Sequence, residues 1–162
     1  MKPNQSAGNQ RGVSALEFTI IAPLLFVLVF GMIEFGCLFY DKAMITNASR
    51  EGARAGIVFV PDQTLADITT RVTAAVNNYL GVDSDPGTRP KLIYFGSPTP
   101  APQIPTPTII AGTNGSNDKL SVEVRWTYDF LVLPNFSILG WVNLDPTIDI
   151  NAVSEMMLEQ NL

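Results

Sequence analysis

The chain has 162 residues, 46% of them hydrophobic and 15% charged, with a formal net charge of −5 at pH 7. That length holds one membrane segment plus one small globular domain, and a mean hydropathy of +0.20 is high for a soluble domain but natural for a chain with one helix in lipid. The acid excess argues against nucleic acid as a partner, because binding it needs a basic face that displaces counterions. With no histidine and one cysteine, Cys37, Ser-His and Cys-His catalysis and ordinary His/Cys zinc ligation are excluded.

The first twelve residues are polar and carry Lys2 and Arg11 with no acid. Residues 18–33 then hold no charge, and after Glu34 the apolar character resumes up to Tyr40. A helix over residues 18–40 is about 34 Å long at 1.5 Å per residue, enough to span a hydrocarbon core with some tilt. Pro23 lies inside it and is expected to kink the rod, which lipid-embedded helices tolerate. Glu17 stands at the head of the run, where a carboxylate is expensive, at roughly 2.5–3.5 kcal/mol if it reaches the bilayer centre. Such a charge implies a partner. A secretory signal peptide would end in small residues, and no convincing site follows the run. A lipoprotein signal would want leucine where Glu34 precedes Cys37. A plain single-pass anchor stays open, since Lys2 and Arg11 before the span are matched by Lys42, Arg50 and Arg54 after it. Cys37 itself reads as a small hydrophobe in a packed helix.

The helix is expected to continue from Asp41 to Gly56, a stretch without proline. Ala48, Gly52 and Gly56 fall four residues apart and form one small-residue stripe that lets another backbone approach, from a sheet or a neighbouring helix. Two interior glycines cost about 1 kcal/mol each against alanine, so close approach is expected to compensate; fraying of the helix end is the alternative. Arg50 and Arg54 flank the stripe, with Glu51 placed for a solvated surface pair with Arg54.

Residues 57–162 leave enough chain for one modest core. Residues 63–80 read as a helix, with Leu65, Ile68, Val72, Val76 and Tyr79 at three- to four-residue spacing and Gly81 as its stop. Residues 92–95 offer a short strand. Pro86, Pro90, Pro98, Pro100, Pro102, Pro105 and Pro107 forbid helix in residues 86–107 and imply an extended or looped excursion. Around Asn114-Gly115, residues 112–118 form a turn. It leads into the clearest strand, 120–130, where Leu120, Val122, Val124, Trp126, Tyr128 and Phe130 face one way and Ser121, Glu123, Arg125, Thr127 and Asp129 the other. Burial of one face points to an antiparallel sheet packed on a helix, and residues 147–153 offer a second strand with Ile148, Ile150 and Ala152 inward. The aromatics read as core, with a sugar- or surface-binding patch as the alternative. Asp83-Ser84-Asp85-Pro86-Gly87 could form a loose calcium loop, but an EF-hand would want glutamate where Tyr94 stands. No phosphate-binding glycine loop, nucleophile elbow or repeat is present. No catalytic residue, metal site or cofactor is expected, and the chain reads as a non-enzyme.

The stretch Gly12-Val13-Ser14-Ala15-Leu16-Glu17-Phe18 resembles a prepilin-type signal. Together with Pro23 and the block Ala48-Ser49-Arg50-Glu51-Gly52-Ala53-Arg54, it resembles the TadE family, minor pilins (pseudopilins) of tight-adherence, or Flp, pili. The resemblance covers residues 12–56 and resumes over about 119–159, where the alternating strand leads to Leu133-Pro134 and a final segment ending near Met157. It implies cleavage between Gly12 and Val13 by an inner-membrane prepilin peptidase, with Glu17 and Phe18 serving assembly. It also implies a role in supporting assembly of the major pilin. Type IVa pilins usually place phenylalanine after the glycine, where this chain has Val13, which favours the tight-adherence family.

Physical chemistry gives Glu17 a role of its own after such a cleavage. The new amino group of Val13 is cationic, and pairing Glu17 with a neighbour's terminal amine would cancel two charges in a low-dielectric bundle and set the register between subunits. An interfacial carboxylate facing headgroups is the alternative. Loss of Lys2 and Arg11 would take the net charge from −5 to −7.

The expected architecture is α+β. A leader (1–12) precedes a long helix (13–56) that is transmembrane over 18–40 and then amphipathic. An extracytoplasmic domain (57–162) follows, with an antiparallel sheet and at least one packing helix. The expected partners are the bacterial inner membrane, the prepilin peptidase and other pilin and Tad assembly subunits. An uncleaved single-pass adhesin or scaffold is the alternative.

Overall fold

One helix, α1 (Gly8–Gly56), accounts for 49 residues and runs unbroken through Pro23. The computed structural model describes residues 8–82, 91–94, 101–112, 117–130 and 147–158. Over residues 13–33 the side chains of α1 are bare on all sides, with Phe18 69% and Leu24 71% exposed. From Glu34 onward one face is covered: Glu34, Asp41, Ile45, Ala48, Ser49 and Ala53 are buried. These positions recur at three, four and seven residues, so they form one stripe down the helix.

The second helix, α2 (Leu65–Leu80), starts where a capping box dictates. The backbone N–H of Asp67 donates to Thr64 Oγ1 at 3.3 Å, and the N–H of Thr64 donates back to Asp67 Oδ2 at 2.9 Å. This reciprocal pair satisfies two of the four free N–H groups of a helix start and places that start two residues later than the apolar spacing alone suggests. Gly81 ends the helix in the left-handed conformation, φ 71°, with its N–H bonded back to Asn78. The buried row is Ile68, Val72, Val76 and Leu80, a strict four-residue spacing. Leu65 is 43% exposed and Tyr79 only half-buried, so these two expected core positions give way to Leu80.

Three antiparallel strands complete the fold in the order β1 (Thr108–Ile110), β2 (Lys119–Asp129) and β3 (Thr147–Met157). The central strand alternates as its sequence demands: Leu120, Val122, Val124, Trp126 and Tyr128 are buried against the helices. The pairing continues to Lys119 opposite Met157, so β3 is four residues longer than the apolar alternation of 147–153 suggested. The long amino-terminal helix, the second helix and the antiparallel sheet together make the α+β arrangement expected from sequence.

Two expectations shift. Residues 92–94 form no strand. The N–H of Ile93 donates to Asp41 Oδ1 and that of Lys91 to the Leu80 carbonyl, so the backbone is engaged by α1 and α2 rather than by a ladder, while Leu92 enters the core. Part of the proline-rich stretch does join the sheet: Gln103 exchanges two backbone hydrogen bonds with Arg125, and β1 follows Pro107 directly. Proline is tolerated beside a ladder at an edge, which is where β1 lies. The leader residues 1–7, Asp83-Ser84-Asp85-Pro86-Gly87, Phe95, Asn114-Gly115 and Leu133-Pro134 lie outside the described residues.

Candidate functional site

The amino-terminal end of α1 carries the chemistry singled out by the sequence. Gly12, Val13, Glu17 and Phe18 are all exposed on a regular helix, and a side chain added at Gly12 would meet nothing within 4 Å. Glu17 is exposed, so its carboxylate stands on the surface at the head of an apolar rod. The Gly12–Val13 peptide lies inside the helix rather than in a loop.

The helix around that rod has a mean hydropathy of 2.4 in its most apolar window, only 6% of which is buried by the rest of the chain. A core helix of a soluble protein would be covered by its own domain. This one is long and apolar enough to span a membrane and offers its whole circumference to whatever surrounds it.

The other half of α1 is built for contact within the chain. Ala48, Ser49, Gly52 and Ala53 are buried, whereas Arg50, Glu51 and Arg54 are exposed. A Cβ on Gly52 would lie 2.7 Å from Val76 Cγ2 and 3.3 Å from Val72 Cγ1; one on Gly56 would meet Leu120 and lie 2.8 Å from Val72 Cγ2. These glycines let α2 and β2 approach the backbone of α1. Ser49 shares a hydrogen bond of 2.7 Å with Ser154 of β3, and Lys42 donates to the Asn151 carbonyl on the same strand.

Between the bare and the covered halves sits a polar junction that the sequence reading missed. Glu34 is 2% exposed, and the hydroxyl of Tyr128, itself fully buried, donates to Glu34 Oε1 at 2.7 Å. Burial, together with the Glu34 carboxylate, pushes the Tyr128 phenol far above its ordinary range. Two turns on, fully buried Asp41 accepts from the N–H of Ile93 at 2.8 Å. The indole N–H of Trp126 lies near enough to favour the ionised carboxyl, yet neither it nor Asp41 Oδ2 completes a hydrogen bond. Half-buried Cys37 lies between the two carboxylates and packs against the core. The signal available was their seven-residue spacing, which puts Glu34 and Asp41 on one helix face.

Burial outweighs the N–H donors at Asp41 and pushes its pKa up to about 6. A carboxyl whose folded pKa exceeds its unfolded value binds its proton more tightly in the folded state, so its contribution to stability is present at pH 4 and is lost as pH rises through 6. Asp41→Asn, which cannot ionise, is therefore expected to flatten the stability profile between pH 4 and 7, with a gain of about 2 kcal/mol over wild type at pH 7. Thermal melts in detergent across that range check this.

The outer face of the sheet holds a polar recess of about 580 Å³ lined by Gln103, Glu123, Arg125, Thr127, Asp149 and Asn151 among others. Its groups engage one another. Arg125 forks onto Glu123 at 2.8 and 2.9 Å and holds that carboxyl below the usual range, while Thr127 donates to Asp149 at 2.6 Å. The aromatics Trp126 and Tyr128 are on the opposite, buried face and belong to the core rather than to a sugar-binding patch.

Residues 12–54 match the family model described as TadE-like protein. No curated protein and no solved structure matches the chain. The matched segment begins at Gly12, holds Glu17, the bare apolar rod and the Glu34 junction, and ends with the small-residue block that seats α1 on α2 and the sheet. Over that segment, about a quarter of the chain, the sequence is similar to the TadE-like family.

Proposed function

We propose that the protein is a minor pilin, or pseudopilin, supporting assembly of a Tad (Flp) pilus used in surface adhesion. In this reading a prepilin peptidase cleaves after Gly12, and Val13 becomes the new amino terminus. The bare half of α1 is held first in the bacterial inner membrane and then against other pilin and Tad assembly subunits, while residues 57–162 form the extracytoplasmic domain. The observation that carries the reading is the pairing, in one TadE-like helix, of an all-round exposed apolar rod headed by Glu17 with a second half locked into a folded domain. A rod alone would be an anchor. A rod with an exposed carboxylate at its head offers a neighbouring subunit a charge, and that of a freed Val13 amine is its natural complement.

Glu17→Ala is expected to leave cleavage intact and to reduce piliation. Quantifying sheared pili alongside processed protein in the membrane checks both halves, and normal pilus abundance in that variant would contradict the role given to Glu17. A second reading, an uncleaved membrane-anchored adhesin or scaffold, draws on the unbroken helical path of α1 through Gly12 and Val13.

A further inference from the structure

The apolar surface of the chain does not stop where the domain begins. Residues 18–33 of α1, the charge-free stretch that follows Glu17, cover about 24 Å, most of a hydrocarbon core of about 30 Å. Past Ile33 one face of the helix turns into the domain at Glu34, yet the opposite face remains apolar and aromatic: Phe35 is 59% exposed and Phe39 68%, their rings 6.4 Å apart. The domain adds to this surface at the same level. Ile148 is the cross-strand partner of Tyr128, whose hydroxyl reaches Glu34, and Ile148 is 40% exposed; Phe130 packs edge-on to Tyr128 and is half-buried.

We propose that the end of the domain carrying Phe130 and Ile148 rests in the lipid interface beside Phe35 and Phe39, so that the hydrocarbon core ends near Glu34 and the domain lies docked on the bilayer surface. The inference rests on the reading of α1 as a membrane helix. The occupant is lipid because the patch is continuous with a rod exposed on every side, and a single partner helix would cover only one of those sides. Phenylalanine and aliphatic side chains on the apolar face of an interfacial element bury into the boundary between headgroups and acyl chains. The hydrogen bond from Tyr128 fits the same placement. A carboxylate beside the hydrocarbon boundary is costly when it faces lipid, and the domain covers Glu34 from that side. Residues 34–40 then occupy about 10 Å of headgroup layer, and the domain and helix move as one unit at the membrane surface.

The test uses the full chain in vesicles of phosphatidylethanolamine and phosphatidylglycerol, with Cys37→Ser and single cysteines introduced at Leu24, Ile148 or Val153 for an environment-sensitive fluorophore. Val153 is the distant control, since neighbouring Ser154 bonds to Ser49, about 22 Å beyond Glu34 along α1. Lipids carrying nitroxides at the headgroup or deep in the acyl chain act as quenchers. The expected result is deep quenching at Leu24, headgroup-level quenching at Ile148 about twofold above that at Val153, and a water-like Val153. Phe130→Cys, half-buried in the same patch, repeats the reading should the Ile148 variant fail to fold. Ile148 and Phe130 as water-like as Val153, with Leu24 deep, would overturn the docking while leaving the membrane helix standing. A water-like Leu24 would overturn both.

Discussion

Gly56→Val is expected to cost the domain about 3 kcal/mol, whereas Gly36→Ala, on the same helix, costs nothing measurable. The two glycines have the same intrinsic helix penalty, about 1 kcal/mol against alanine, but opposite surroundings. Around Gly36 there is open space, so an added methyl group touches nothing in the chain. At Gly56 it would run into Leu120 and Val72, both fully buried and held by neighbours on α2 and β2. A β-branched side chain cannot swing aside there, because its χ1 is fixed against the preceding turn. The cost then falls on the packing of α1 against the sheet, and the gain in helix propensity is too small to offset it. Proteolysis midpoints in detergent give the comparison directly. Equal stability of the two variants would mean that α1 does not seat on α2 and β2 through its small-residue stripe.

Tyr128→Phe is expected to destabilise the junction by about 2 kcal/mol, the scale of a hydrogen bond to a charged group. The substitution keeps the ring and its packing on Phe130 and removes only the hydroxyl that donates to Glu34. Glu34→Leu has its own cost, since it strands a buried hydroxyl. The informative variant is the double one. With both polar groups gone and apolar volume retained, the loss should be smaller than the sum of the singles, because neither leaves the other orphaned. A double-mutant cycle on thermal unfolding in detergent measures the coupling, and strict additivity would show that the two groups do not act as a pair.

The parts of this molecule legible in its sequence are those governed by local periodicity. The alternation from Leu120 to Tyr128 is a period of two that only a half-buried strand satisfies, and the strand lies within one residue of its expected start. The run from Phe18 to Tyr40 needed only hydropathy. Helix α2 was legible in its body but not at its start, because the capping box of Thr64 and Asp67 depends on a side chain returning to the backbone. Strand β1 was hidden for a different reason. Three residues after Pro107 carry too little periodicity to stand out, and they form a strand only because β2 offers an edge. The polar junction was the largest omission. Glu34 read as an interruption of an apolar run, and Asp41 as the point where that run ended. Their common face was written in the spacing, but their partners Tyr128 and Ile93 lie 94 and 52 residues away. At the amino-terminal end the reverse holds. The meaning of Gly12, Val13 and Glu17 came from pattern and family likeness, and the fold contributes their exposure on an unbroken helix.

The reading of the chain as a pilin-class subunit turns on one covalent event. Intact mass spectrometry of the protein from its native membrane, in strains with and without the prepilin peptidase, tests it most directly. The expected result is loss of residues 1–12, leaving Val13 as the amino terminus, in the strain that has the peptidase and a full-length chain in the strain that lacks it. A full-length chain in both would contradict cleavage at Gly12 and leave α1 as a permanent anchor.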